Sequence, residues 1–248
     1  MTFKLSTNPI TPLSMVRPLR SPSLSLSVEQ LLERSPWYVQ VSASAQMQVR
    51  KDIGERAIGI GDPLGFQGES QRTWMGVLEG LLKWSINTAD GRSVTLGGQS
   101  VGSWFGEGTL IRSLPRNADL IALRHSRVAL IPFETFDWLR RTEPAFNEFV
   151  LQQINARLHW FMGSYAAHRL LDTDRLVARA LVGLINPLSN PRGECDLMIS
   201  QEELANIATV SRQRCNASLA LMKRNGLLQL DYGEIKVLDA KALQQFAE

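Results

Sequence analysis

The spacing of apolar residues divides the chain into a β-rich first half and a helical second half. Between about residues 37 and 137, short apolar runs alternate with glycine-containing turns. Many short strands at such spacing are typical of a β-roll or barrel. The predicted strands include 39–43, 77–81, 121–123 and 128–132. Asp90-Gly91 between two further runs predicts a hairpin, because glycine tolerates the positive φ of a tight turn.

From about residue 134 the apolar period lengthens to that of a helix. One stripe advances by three or four residues at a time through Phe146, Val150, Ile154, Leu158, Phe161 and Tyr165. A helix over about 144–170 with a single apolar stripe and no internal break favours a partner helix. We therefore interpret it as the surface along which two chains pair. The alternative is that the helix packs on its own β-domain. A short helix is also predicted at 28–34.

Two short helices joined by a brief turn are predicted between residues 199 and 226. Ser200 and Glu203 have the spacing of a capping box, in which each side chain bonds the other's backbone N–H. Ser211 can cap the second helix, and Asn225-Gly226 is a typical C-terminal stop. The apolar runs 227–230 and 235–238 then flank a turn and predict a β-hairpin wing.

The second of these helices has the chemistry of a DNA-reading helix. It carries four cations and no acid between Ser211 and Asn225. Arginine can fork onto guanine, and glutamine or asparagine can pair with adenine, so its outer face suits the major groove. The alternative is a generic helical pair with a solvated polar face. The predicted DNA-contacting residues are Ser211, Arg212, Gln213, Arg214, Asn216 and Ala217.

Composition narrows the possibilities further. A length of 248 residues suggests two domains, and a net charge of +3 excludes a uniformly basic coat but not a local basic face. Residues 1–27 are rich in Ser, Pro and Thr and predict a flexible arm. We find no apolar run of membrane-spanning length and a poor signal peptide, so we expect a cytoplasmic protein. The chain also lacks the usual hydrolase, P-loop and Rossmann motifs, which argues against an enzyme.

The helix pair 199–214, together with the cassette from Gly102 to Glu107 and its continuation 114–118, resembles the Crp/Fnr family of bacterial transcription regulators. The resemblance covers about residues 37–248. It implies an α+β fold: a double-stranded β-helix or jelly-roll sensor domain (28–142), a dimerisation helix (143–171) and a winged helix-turn-helix (172–248). The implied partners are double-stranded promoter DNA, a second copy of the chain and RNA polymerase.

The same resemblance assigns a candidate effector site. In the family, the acid after glycine meets a ribose hydroxyl and the arginine nine residues later pairs with the cyclic phosphate, which here are Glu107 and Arg116 after Gly106. Asn117 replaces the usual Ser or Thr. The bulky Phe161 and Met162 stand where cyclic-AMP receptors offer small hydroxyl residues. An internal Glu107–Arg116 salt bridge in an empty roll is the alternative.

The identity of an effector stays open at this point. Cyclic AMP, another small effector and no effector are all compatible with the residues. The first 190 residues contain no cysteine, which excludes the iron–sulfur cluster of the Fnr branch, and we predict no metal site. The competing function is a cyclic-nucleotide-binding module that acts through protein contacts rather than through DNA.

Overall fold

The computed structural model describes residues 25–88, 90, 93–185, 196–197, 199–231 and 233–248. It has the predicted α+β architecture: a β-rich domain, a long helix and a smaller helical domain with its own sheet. Most of the predicted arm and the Gly91 of the predicted turn lie outside the described residues. At the end of that arm, Leu26 is already buried in the core of the β-domain.

Three short helices precede the β-roll: α1 (Val28–Arg34), α2 (Pro36–Gln40) and α3 (Ala43–Asp52). The helix predicted at 28–34 is confirmed, whereas the strand predicted at 39–43 is wrong. The alternation of Val39 and Val41 was outweighed by helix signals on either side of it. Pro36 occupies the first turn of α2, and the Ser42 hydroxyl accepts a hydrogen bond from the Ala45 N–H to start α3.

The roll consists of two four-stranded antiparallel sheets, with strand orders β1-β8-β3-β6 and β2-β7-β4-β5. The predicted hairpin is present, since β4 and β5 pair from Leu81↔Ser100 to Asn87↔Ser93. Two helices that the sequence pattern did not separate from strands are α4 and α5. In order the elements are β1 (Gly54–Ile58), β2 (Pro63–Gly65), β3 (Thr73–Glu79), β4 (Leu81–Asn87), β5 (Ser93–Ser100), β6 (Trp104–Phe105), α4 (Glu107–Arg112), β7 (Asp119–Ala122), β8 (Ser126–Pro132) and α5 (Phe133–Thr142).

An aromatic cluster closes one side of the roll against the flanking helices. Trp74 and Trp104 stack with ring centroids 4.4 Å apart, while Trp37 meets Trp104 edge-on and Phe146 meets Trp74 edge-on. All four side chains are buried. Large rings bury much apolar area and prefer such offset and edge-to-face contacts. The cluster therefore fixes α2 and the start of the long helix on the β-domain.

The long helix α6 (Pro144–Leu170) has the predicted bounds, but its apolar residues do two different jobs. Phe146 and Val150 lie in the core of the chain's own β-domain, Val150 being 1% exposed. The predicted pairing residue Val150 is thus unavailable to a second chain, and the alternative of packing on the β-domain holds for this half. Leu158 and Tyr165 farther along are 56% and 66% exposed.

The C-terminal domain has the predicted helix pair and wing. It comprises α7 (Thr173–Ile185), β9 (Asp196–Leu197), α8 (Gln201–Ala208), α9 (Arg212–Arg224), β10 (Leu228–Asp231), β11 (Glu234–Val237) and a final helix, α10 (Ala240–Phe246). The capping box of Ser200 and Glu203 is formed in both directions. None of the described helices combines the length and apolarity that a membrane crossing needs.

The two domains share an apolar contact. Leu81 and Leu123 of the roll belong to the buried cluster of the C-terminal domain. A Cβ added at Gly98 of β5 would lie 2.9 Å from Leu184 of α7, so the absent side chain permits this approach. Beside it Arg124 pairs with Glu203 at 3.4 Å. The position of α7 and α8 is therefore set partly by the wall of the roll.

We predict that Ser200→Ala lowers the free energy of unfolding by about 1 kcal/mol, because an N-terminal backbone donor of α8 loses its acceptor. Urea denaturation followed by circular dichroism measures the change. The exposed Ser93 provides the control. Ser93→Ala should change stability by less than about 0.5 kcal/mol, and an equal loss in both variants would contradict the capping role.

Candidate DNA-binding face and effector site

Helix α9 presents the predicted DNA-contacting residues on its outer side. Ser211 caps it by accepting from the Arg214 N–H at 3.3 Å. Its inner residues Cys215, Leu219 and Met222 are fully buried, and burial raises the pKa of the Cys215 thiol to about 11, as expected for a core residue. The exposed residues of its first turns are Ser211, Arg212, Gln213, Arg214 and Ala217.

Asn216 differs from the other predicted contacts. Its side chain is half-buried, and its Oδ1 atom is buried without a hydrogen-bond partner among the described residues. An unpaired buried acceptor carries a desolvation cost. The structure thus directs the Asn216 oxygen toward the protein while its neighbours Arg212 and Gln213 face solvent.

Side-chain hydrogen bonds that the sequence did not reveal hold α9 in place. Asp174 of α7 accepts from the Ser218 hydroxyl at 2.5 Å, and Thr209, between α8 and α9, lies 2.6 Å from the Nε2 atom of His168. Thr209 itself adopts a left-handed φ of 55°. Because α9 is joined in this way to α7 and the end of α6, its direction follows these two helices.

The cassette places Glu107 inside the protein. Gly106 precedes α4 with φ 102°, and Glu107, the first residue of that helix, is buried. Its carboxylate pairs with Arg157 of α6 and accepts from the indole N–H of Trp74 at 3.4 Å. The alternative ion pair with Arg116 is not formed. A charge-assisted pair thus joins the cassette to the long helix.

Arg157 was not among the predicted site residues. Its guanidinium also donates to the Trp104 carbonyl at 2.6 Å and lies 5.4 Å from the Trp84 ring centroid. A single cation on a helix whose outer face is polar gives no sequence signal of this kind. Only the position of α6 across the roll reveals that Arg157 points inward.

Arg116 lies on the opposite side of the cassette, in a cradle formed by Gly65. A Cβ at Gly65 would stand 2.6 Å from the Arg116 Nε atom, so the guanidinium occupies the space left by glycine. Burial lowers the pKa of Arg116, and the charge of Glu69 opposes this shift. Among the described residues its side chain has no hydrogen bond or ion pair. It remains a cation suited to an anionic ligand.

The other predicted effector residues are dispersed. Asn117 is exposed beside Arg116, and Met162 is exposed on α6. Phe161 instead lines a cavity of about 40 Å³ between the roll, α6 and the C-terminal domain, together with Trp84, Gln99, Arg157, Leu184 and Ile207. This volume admits water but is far below the roughly 300 Å³ of a small-molecule pocket. The described residues include no cluster of three or more possible metal-ligating side chains.

Comparison with known proteins agrees with this division into two functional parts. Residues 55–143 match the family model of the cyclic nucleotide-binding domain, and residues 168–246 match that of the Crp-like helix-turn-helix domain. A chain with these two parts is a transcription regulator rather than an enzyme. The two domains are those of Crp/Fnr-type transcription regulators, as the sequence motifs indicated.

The match to each of the following relatives covers nearly the whole length of that relative. The transcriptional regulator SdrP of Thermus thermophilus is 26% identical over 81% of this chain and 96% of its own. The CRP-like cAMP-activated global transcriptional regulator of Mycobacterium tuberculosis is 21% identical over 89% and 100%. Among solved structures, FixK2 of Bradyrhizobium japonicum has a TM-score of 0.67 at 12% identity, covering 79% of this chain and 98% of FixK2. The structure of CLP of Xanthomonas campestris has a TM-score of 0.60 at 22% identity, and the match covers 80% of this chain and 100% of CLP.

We predict that Arg157→Met destabilises the protein by about 3–5 kcal/mol, because it leaves the buried Glu107 carboxylate without a partner. The second variant, Glu107→Gln with Arg157→Met, should recover much of the loss, since no charge then remains buried. Thermal and urea unfolding of wild type, both single variants and the double variant complete the cycle. Additive losses in the double variant would show that the two side chains do not act as a pair.

Proposed function

We propose that the protein is a sequence-specific, homodimeric regulator that binds promoter DNA through α9 and responds to a cyclic nucleotide at its β-domain. One observation carries the DNA part: the cationic N-terminal side of α9 is exposed, while its apolar side is buried. In this arrangement Arg212 and Gln213 can reach base edges, and Arg214 can meet backbone phosphate.

An exposed apolar face of α6 supports pairing of two chains. Leu151, Leu158 and Tyr165 are exposed apolar residues seven positions apart, with Phe161 and Met162 beside them. Such a heptad repeat on one helix is the pattern of a two-helix seam. Pairing there would bring together two copies of α9 for half-sites separated by about one DNA turn, about 34 Å. RNA polymerase is the proposed further partner, and the cytoplasm the proposed location.

The effector part of the proposal rests on Arg116 and on the family. Arg116 is a half-buried cation without an ion-pair partner among the described residues, beside a glycine that makes room for it. One relative is named as activated by cAMP, and the CLP structure is described as c-di-GMP responsive. A phosphate-bearing nucleotide is therefore the class of effector that we propose.

We predict that Arg212→Ala weakens binding to the preferred duplex by about 1–3 kcal/mol and relaxes specificity at one base position. The duplex is selected from a random pool with the wild-type chain, and binding is followed by fluorescence anisotropy between about 50 and 200 mM salt. Lys51→Ala in α3 is the charge-matched control and should leave affinity unchanged. Wild-type binding that is absent at low salt, or independent of salt, would favour action through protein contacts instead.

We predict that Leu158→Glu shifts the protein from dimer to monomer, because a charge at the centre of an apolar seam must be desolvated to pair. Sedimentation velocity over a range of protein concentrations measures the change. Met47→Glu, at an apolar residue on α3 that is also exposed, is the control and should leave the dimer intact. A monomeric wild type, or a dimeric Leu158→Glu variant, would contradict this seam.

A further inference from the structure

One row of residues crosses the inner floor of the second sheet of the roll. Gly65, Leu120, Trp84 and Gly97 are consecutive partners across β2, β7, β4 and β5. Leu120 lies in the β-domain core, so this row faces the interior. Arg116 stands over Gly65 at one end. With about 4.8 Å between strands, Trp84 lies about 10 Å along the floor from Gly65. The floor therefore runs from a cation to an aromatic ring.

Gln99 stands at the far end of this floor. On β5 it pairs with Leu82, which is fully buried in the β-domain core, so both side chains face the interior. Gln99 is only 5% exposed, and its Oε1 atom has no hydrogen-bond partner among the described residues. It lines the same cavity as Trp84 and Phe161. An amide oxygen buried without a partner is costly, and such an atom indicates a missing ligand or water.

The long helix offers no hydrogen-bond acceptor at the cavity: Trp160 lines it, but its indole N–H can only donate. Phe161 is apolar and Met162 is exposed outside the cavity. The guanidinium of Arg157 is already engaged with Glu107 and the Trp104 carbonyl. An acceptor for an amino group on the flat part of a ligand must therefore come from β5.

We propose that Gln99 recognises the adenine of a cyclic nucleotide whose phosphate is held by Arg116. A glutamine amide pairs with adenine through two hydrogen bonds, its oxygen accepting from the 6-amino group and its nitrogen donating to N7. Trp84 supplies the aromatic surface between the two ends. The inference rests on the proposed cyclic-nucleotide effector and adds the residue that selects the base.

Entry of a nucleotide at this floor has to open the contact between the domains. The cavity holds about 40 Å³, and part of its wall is formed by Gly183, Leu184 and Ile207 of the C-terminal domain. The same Leu184 rests on Gly98, the residue beside Gln99. A base that fills the cavity thus pushes α7 and α8 away from β5. Only the opened state binds the nucleotide, so the ligand shifts the position of α9.

The test is calorimetric titration of the full chain with cyclic AMP, cyclic GMP and the cyclic monophosphate of purine riboside, which lacks the 6-amino group. We expect wild type to bind cyclic AMP about 5- to 150-fold more tightly than the purine riboside analogue, because the analogue leaves the Gln99 oxygen unpaired. In Gln99→Leu this ratio should fall to about one. Arg116→Leu should weaken both ligands and preserve the ratio.

The controls separate recognition from folding. Gln99→Leu replaces an unpaired buried amide by an apolar side chain of similar size, so the free variant should be at least as heat-stable as wild type. Gln244→Leu, at an exposed glutamine of α10, should leave the ratio unchanged. Equal binding of both analogues by wild type, tighter binding of cyclic GMP, or a ratio that survives Gln99→Leu overturns the inference.

Absence of binding by all three nucleotides overturns the inference together with the cyclic-nucleotide effector. The DNA-binding part of the proposed function is judged separately, because it is measured by fluorescence anisotropy of the selected duplex with wild type.

Discussion

A carboxylate enclosed in a protein needs a partner, and the pairing of Glu107 with Arg157 is the constraint on which the arrangement of this protein depends. Glu107 belongs to the cassette of the roll, and Arg157 to the helix that leads to the DNA-binding domain. The pair therefore fixes α6 across the mouth of the roll. The aromatic cluster around Trp74 and Phe146 completes this attachment at the start of the helix.

The consequence is a helix with two separate apolar surfaces. Its first half is part of the β-domain core, and its second half exposes Leu158 and Tyr165. Such a division lets one element connect three parts of the molecule: the effector cassette, the proposed dimer seam and the domain that carries α9. Glu107 and Arg157 thus join the cassette directly to this helix.

The contact between β5 and α7 gives the β-domain a second connection to the DNA-binding domain. Glycine at position 98 allows Leu184 to rest on the sheet, and Arg124 bonds Glu203, the residue that also completes the cap of α8. β5 thus borders the proposed base site, and its Gly98 approaches the DNA-binding domain, which also forms part of the wall of that cavity.

The sequence by itself determined the elements that depend on local signals: the cap at Ser200, the turn before Ser211, the wing and the bounds of α6, because caps and apolar periods act within a few residues. Through the cassette motif it also singled out Arg116 and Glu107 as candidate effector residues, an assignment that stays a prediction. Only the tertiary structure decided that Val150 faces the protein's own core and that Arg157 is the partner of Glu107. It also decided that the amide oxygen of Gln99 is buried without a hydrogen-bond partner among the described residues. These properties arise from the crossing of α6 over the roll, a contact between residues distant in sequence that no local pattern encodes. The strand predicted at 39–43 failed for the opposite reason, since a local serine cap at Ser42 outweighed a short alternation.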